Sequence, residues 1–571
     1  MKLRRPSQTI YGLASNAGLA LIFAVLGACG ARLAAEESTP ATSERIVELP
    51  PLLVEESKAP PWHYVAVTGA EFLSRCKDDT TEEFVCGWLR AQDLLKRILP
   101  PEFHCQMSVP HTLLLYSQSL KSSVSREVIN EMVAQERQRP KARRRPDAIG
   151  VMPNMRLNDR DAWASFVFLD EKRAPEIITC TSYHVLFVLD MRTPQLPPWF
   201  ISGFVQLFED VEFLRDALRV NPTRWLSDET TKAILLDPDF PRALLPMQEL
   251  LATAPRITDK DPDWQRQLWR SQAALFIRWA LDKKAPQRAA GFWKFVSRTC
   301  TEPLTEALFQ ECFGMDFADA RDRLSDYLPT ALRQSQLFPG EKFTPPPIKL
   351  RPATDSEIAR IKGDWERLEI GYVQRRFPAL VEKYRDQAQH TLERSYNLGA
   401  RDPRLQAALG LFHCDTKNPA MAREYLEAAV AARVTRPRAY YELAQLYLRE
   451  VLAAPAGTNG KLSGAQAAPI LELLLTARAQ SPQLPEIYLL IGAIWERCAD
   501  APTAYHLAIM EEGARLFPRH PSLGALAALQ LIRNGQTDRA AALIDFGLSF
   551  ALVPESRALF EKLRSFLPHA P

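Results

Sequence analysis

The chain has little excess of either charge: 71 Lys and Arg stand against 68 Asp and Glu in 571 residues, a net charge of +3. That near balance removes the global electrostatic case for a nucleic acid or an anionic surface as partner, so partners have to be argued from sites. Cysteine is also scarce. There are 9, none of them in a C-x-x-C pair, which excludes a metal centre built on local cysteine spacing. The apolar run at 17–25 (AGLALIFAV) is too short to span a bilayer comfortably. What is present, 46% hydrophobic and 24% charged residues, describes ordinary folded protein with room for several domains.

The N-terminus reads as an export signal. Lys2, Arg4 and Arg5 precede the apolar run, and Leu26-Gly27-Ala28-Cys29 follows it. Those four residues resemble a bacterial lipobox, which implies cleavage before Cys29, acylation of its thiol and a membrane anchor. Gly30 after the Cys implies outer-membrane sorting in a two-membrane bacterium, with the mature chain facing the periplasm. The alternative is a plain secretory peptide and a soluble exported chain. Export permits disulfides, and Cys76 with Cys86 or Cys300 with Cys312 are the short loops a bridge could close. Residues 30–61, rich in Ala, Glu, Ser and Pro and without period, read as a disordered tether.

Periodicity then predicts a strand at 63–67 (HYVAV) and a helix capped at Thr80-Thr81-Glu82-Glu83 and stopped by Pro100 and Pro101. Further strands are expected at 112–117 and 165–169. Between them Arg137, Arg139, Lys141, Arg143, Arg144 and Arg145 form a basic run. It reads as a solvated loop or as a contact for anionic headgroups or an acidic partner.

The chain is organised around 179–210, TCTSYHVLFVLDMRTPQLPPWFISGFVQLFED, which reads as two apolar helices joined by a Pro-rich turn. Pro197 and Pro198 suit the start of the second, and Trp199, Phe200, Phe204, Leu207 and Phe208 form its core stripe. Asp190, Glu209 and Asp210 read as caps or solvated charges. An apolar helix follows at 264–281, then GFWKFV at 291–296 and an F-G turn at Phe313-Gly314 ahead of a last helix.

This layout resembles the gluzincin metallopeptidases, especially a bacterial branch in which a peptidase-like domain precedes tetratricopeptide repeats; the resemblance covers about 61–335. In that family H-E-x-x-H on the first helix holds zinc through two His on one face, with the Glu as general base, and the second helix adds a Glu followed by Gly. Laid on the motif, Cys180 takes the first His, Thr181 the Glu, His184 the second His and Ser202 the third ligand, with Gly203 kept behind it. No other His begins H-E-x-x-H. A thiolate and one imidazole are too few ligands, Ser202 is a poor third, and Thr181 cannot take a proton from water as a carboxylate does. The resemblance therefore implies a pseudo-peptidase without metal or cofactor. A Cys180–His184 or Ser202–His184 hydrolytic pair is the alternative, and it has no identifiable orienting group or oxyanion hole.

Residues 336–355, with Pro345, Pro346 and Pro347, read as a semi-rigid linker. Beyond it Pro403-Arg404 recurs 34 residues later as Pro437-Arg438, Leu409 falling on Leu443 and Gly410 on Ala444. That is the tetratricopeptide period. A flexible insertion at 453–465 interrupts it, Pro485 and Pro521 open later units, and a capping helix is expected near 555–566. The expected architecture is a helix-rich α+β zincin-like domain with a small sheet (62–335), followed by an all-α solenoid of four to five repeats (356–571). The expected work is that of a protein- or peptide-binding scaffold in the cell envelope, using the solenoid groove and the vestigial cleft, without nucleic acid. A purely structural envelope role is a further alternative.

Overall fold

A computed structural model describes residues 47–53, 60–105, 107–117, 149–151, 154–169, 171, 182–226, 244–252, 263–453, 461–551 and 553–567. The basic run and the lipobox lie outside them.

The chain enters along β1 (Val47–Leu49) and forms a hairpin from β2 (His63–Val67) and β3 (Ala70–Ser74). The hairpin turns at Gly69, whose φ of 79° is the left-handed region glycine tolerates. Helix α1 (Asp78–Leu95) crosses over to β4 (His111–Ser117). It begins two residues ahead of the expected Thr80 cap, because Asp78 and Asp79 supply the negative charge that a first turn favours. Next come β5 (Ile149–Val151), parallel to β1, then the hairpin β6 (Asn154–Asn158) and β7 (Trp163–Leu169). β1 and β5 form a two-stranded sheet, and β2, β3, β4, β6 and β7 with β11 (below) form a six-stranded sheet in the order β11-β2-β3-β4-β7-β6. β3, β4 and β7 run parallel in its middle, and β6 is antiparallel at one end.

Side chains alternate across the strands and divide the sheet into two faces. One face, with Phe72, Leu113, Leu115 and Leu169, packs on Phe84, Val85 and Trp88 of α1. The other carries Leu73, Leu114, Tyr116, Phe166 and Phe168.

A helical layer follows: α2 (Ser182–Asp190), α3 (Pro198–Glu209), the hairpin β8 (Val211–Phe213) and β9 (Ala217–Val220), α4 (Met247–Leu251), α5 (Asp263–Ala280), α6 (Pro286–Arg298), α7 (Glu306–Phe313) and α8 (Phe317–Arg333). Its core gathers Trp199, Phe200, Phe204, Leu207 and Phe208 with Phe276, Phe292, Phe295 and Phe309, so the α3 stripe is packing as expected. Gly314, in the left-handed conformation at φ 68°, ends α7, and the Asp316 side chain accepts from Asp319 N to start α8.

The expected linker is incorporated at both ends. β10 (Gln336–Pro339) pairs with β9, and β11 (Arg351–Pro352) pairs with β2. Helix α9 (Asp355–Arg376), opened by a capping box between Thr354 and Glu357, then lays Ile361 and Trp365 against the second face of the sheet.

From α9 the chain runs in antiparallel pairs: α9 with α10 (Val381–Asn397), α11 (Pro403–Asp415) with α12 (Pro419–Ala431), α13 (Pro437–Ala453) with α14 (Gly464–Arg478), α15 (Pro485–Arg497) with α16 (Ala504–Leu516), and α17 (Pro521–Arg533) with α18 (Thr537–Phe550). α19 (Pro554–Arg564) closes the stack, its Phe560 lying over Gly547. Pro403, Pro437, Pro485 and Pro521 each sit at the first position of a helix, where the missing N–H is not needed. Gly410 lets Leu426 approach within 2.6 Å of where a Cβ would stand, which is why that repeat position is small.

Two further expectations are corrected. The tether is docked over 47–53: Leu49, Leu52 and Leu53 are buried against the first helix pair, Tyr384 Oη donates to Pro50 O at 2.8 Å and Gln387 Nε2 to Leu53 O at 3.2 Å. Apolar Leu side chains outweigh the low-complexity composition around them. The candidate disulfides do not form, since Cys76, Cys86, Cys300 and Cys312 are free thiols. Cys300 is buried, donating to Val296 O at 3.2 Å, and Cys76 lies in the α1 core with its pKa pushed up to about 12 by burial.

Candidate functional site

Cys180 and Thr181 lie outside the described residues, whereas His184 and Ser202 lie within them. His184 is buried in a wall of aromatic rings. Trp163 of β7 stands 4.8 Å from it and His111 of β4 6.3 Å, while Phe187, one turn on, stacks on Trp163 at 5.1 Å. Its Nε2 meets Gln92 Oε1 of α1 at 3.2 Å. Burial, with His104 and Arg156 adding to it, pushes the imidazole pKa down to about 3. It is therefore a neutral ring held by an amide. His111 is held similarly, stacked on Trp163 at 3.5 Å with Nε2 2.9 Å from Ser165 Oγ, and burial pushes its pKa well down.

The second helix starts at Pro198 behind Pro197, as expected. Ser202 is partly exposed on α3. Gly203 has a packing reason of its own: a Cβ there would lie 2.7 Å from the backbone carbon of Ala273, so the α3–α5 crossing requires glycine without any chemistry at the preceding residue. Asp190 and Glu209 have carboxyls pushed up by burial. So has Asp210, whose Oδ2 accepts from Arg224 N at 3.4 Å. Among the described residues no three His, Cys, Asp or Glu side chains converge as metal ligands. Beside α2 the end strand β6 places Arg156 over the ring of Tyr183 at 6.0 Å, and Tyr183 and Leu186 are exposed.

A second constellation was not anticipated. The turn between β6 and β7, 159–162, enters the face built from the first helices of the pairs. Asp159 is 4% exposed and receives three guanidiniums: Arg367 Nη2 at 2.6 Å, Arg436 Nη2 at 2.8 Å and Arg438 Nη1 at 2.6 Å. Burial alone would raise its pKa, but Arg438, Arg367 and Arg436 outweigh burial and hold the carboxyl well below its usual range. Asp161 accepts from the Arg438 backbone N at 2.7 Å and stands 3.1 Å from Arg436 Nε; burial pushes its pKa up. Asp415 joins Arg367 and Arg438 from behind, at 2.6 and 2.5 Å. Between the two acids Arg160 lies over the ring of Tyr441 at 5.5 Å and reaches Glu442 and Glu486 at 3.9 and 3.6 Å.

The same face holds the first domain elsewhere. Glu71 of β3 pairs with Arg360 and Arg404 and accepts from Tyr64 Oη at 2.8 Å; burial raises its pKa, and these arginines overcome that to hold it at about 2. Away from the first helices, at the ends and turns of later pairs, Ser108 N donates to Ser481 O at 2.8 Å, Gln195 N to Leu516 O at 2.9 Å, and Arg519 to Gln195 O and Thr299 O, both at 2.9 Å. The signal in the sequence was the recurring Pro-Arg. Arg404 and Arg438 occupy the same repeat position, and each reaches a carboxylate of the first domain.

The C-terminal half is thus a solenoid of tetratricopeptide type whose first-helix face holds a polypeptide segment, in this case its own. No family profile and no curated protein matches the chain. Among solved structures it is similar to YrrB, described as a TPR protein with an unusual peptide-binding site, at 11% identity over 35% of this chain and 90% of that one, TM-score 0.26. It is also similar to a thermophilic TPR protein of Thermus thermophilus (17% identity, 35% and 99% covered, TM-score 0.24). A third is the pilF protein of Pseudomonas aeruginosa (17%, 37% and 90%, TM-score 0.25).

Proposed function

We propose that the chain is an exported, lipid-anchored scaffold of the cell envelope that binds protein segments, built on a peptidase-like domain without peptidase chemistry. The observation that carries the binding role is the grip of residues from several helix pairs on the 159–162 turn, which is segment recognition realised within one chain. The first domain bears on the absence of peptidase chemistry. Its helix α2 stands beside the end strand of a mixed sheet, yet His184 is a buried imidazole whose Nε2 meets Gln92 and whose pKa of about 3 leaves it little basicity for a working base.

Metal analysis of the purified chain is expected to find no stoichiometric zinc, and peptide substrates should remain uncut. Zinc at one per chain that is lost in His184→Ala would reverse the reading toward a hydrolase. For the anchor, Cys29→Ala is expected to move the chain from the membrane to the soluble fraction, and an unchanged distribution would remove lipidation from the proposal.

A further inference from the structure

Stacked helix pairs bind other chains along the face made by the first helix of each pair. Residues of that face meet the chain's own first domain from the first pair to the fourth: Arg360 and Arg367 of α9, Arg404 of α11, Arg438 of α13 and Glu486 of α15. At the tip of the β6–β7 hairpin are two carboxylates two residues apart, Asp159 and Asp161, with a basic residue between them. The receiving surface mirrors this pattern: Arg367, Arg436 and Arg438 meet the acids, and Glu442 and Glu486 meet Arg160. Beside the turn a cavity of about 40 Å³ separates Trp163 and Pro110 from Arg360, Arg404 and Arg436.

We propose that the 159–162 turn is an internal occupant of the solenoid's binding face, exchanged on partner binding for an acid–base–acid segment of another protein. The proposal rests on the scaffold reading above and states how that face is regulated. The exchange requires no separation of the two halves. Residues 159–162 lie beyond the last pairs of both ladders, Asn158 with Trp163 in β6–β7 and Thr112 with Ala164 in β4–β7, so the turn can swing without breaking either. Meanwhile α9 stays on the sheet through Ile361 and Trp365. The incoming carboxylates take over the guanidiniums that Asp159 releases, so no buried cation is left unpaired.

The test uses the full chain and a fluorescein-labelled peptide of residues 156–163 (RLNDRDAW) as probe. Anisotropy is expected to show the Asp159→Asn/Asp161→Asn double variant binding the peptide at least about tenfold more tightly than the wild type, whose competent fraction is small. The same peptide with both Asp changed to Asn should bind neither. Equal affinity for variant and wild type overturns the proposal. Should the double variant fail to fold, hydrogen exchange of the wild type with excess peptide decides: faster exchange within 154–163 is expected, and unchanged exchange overturns it. The two readings fail separately. Bound zinc would remove the scaffold reading whatever the peptide does, whereas a peptide that cannot compete would remove the internal occupant and leave the scaffold reading to other surfaces of the solenoid.

Discussion

Trp365→Ala is expected to destabilise the sheet domain and the solenoid together, by about 3–5 kcal/mol, the range for removing a large buried aromatic. Trp365 sits on the first helix of the solenoid but is 0% exposed in the layer shared with the sheet, 5.7 Å from Phe166 of β7. Its Nε1 donates to Glu369 Oε1 at 2.7 Å, and burial, with Glu366 nearby, pushes the Glu369 pKa well up. Alanine therefore leaves both a cavity and a buried acceptor without its donor, which places the loss toward the top of the range. Urea unfolding followed by site-resolved hydrogen exchange should show protection falling in β4 and β7 as well as in α9 and α10. Protection lost from the helices alone would mean that the sheet does not depend on the solenoid for its second face.

Asp159→Ala is the second large effect. It removes the shared partner of three guanidiniums in a buried cluster, a change that costs about 3–5 kcal/mol when the remaining charges stay buried. Asp415 and Asp364 still face Arg367, Arg436 and Arg438, which limits the loss. The pH dependence has a definite sign. The folded-state pKa of Asp159 lies well below the unfolded value of about 3.9. Its contribution is thus complete above about pH 4 and is lost as pH falls through the folded value. Glu71, held at about 2, acts in the same direction, whereas Asp161, with its pKa raised, opposes it. The wild type should lose stability steeply on acidification below about pH 4. In Asp159→Asn that slope should be shallower, as read from thermal melts across the range. Identical slopes in the two proteins would show that Asp159 is not part of the linkage.

Much of the element list was legible. Alternation located β2, short apolar runs located β4 and β7, the apolar stripes located α3 and α5, and the 34-residue return of Pro-Arg gave the register of the helix pairs. β3 was not legible, because AEFLS is buried on both faces and its one charge is neutralised by arginines about 290 and 330 residues away. Nor were β10 and β11, which lie in a Pro-rich stretch and depend on strands from another part of the chain. At the candidate site, the absence of an H-E-x-x-H pattern was plain from residue types alone, because ligand and base chemistry is a property of side chains. The rings and the Gln92 side chain that enclose His184 come from β4, β7 and α1.

The sequence by itself determined the principal helices and the strands β2, β4 and β7, where the repeats fall, and that no H-E-x-x-H pattern is present, since each depends on short-range pattern or on single side chains. Only the tertiary structure decided that α9 is the second cover of the sheet, that the Leu49–Leu53 segment is docked, and that the 159–162 turn is received by arginines of the solenoid. The reason is physical: a periodic stripe records that a face leaves water, but what covers it depends on contacts hundreds of residues apart, and an aspartate in a turn reads as solvated until the arginines that bury it are brought to it by the fold.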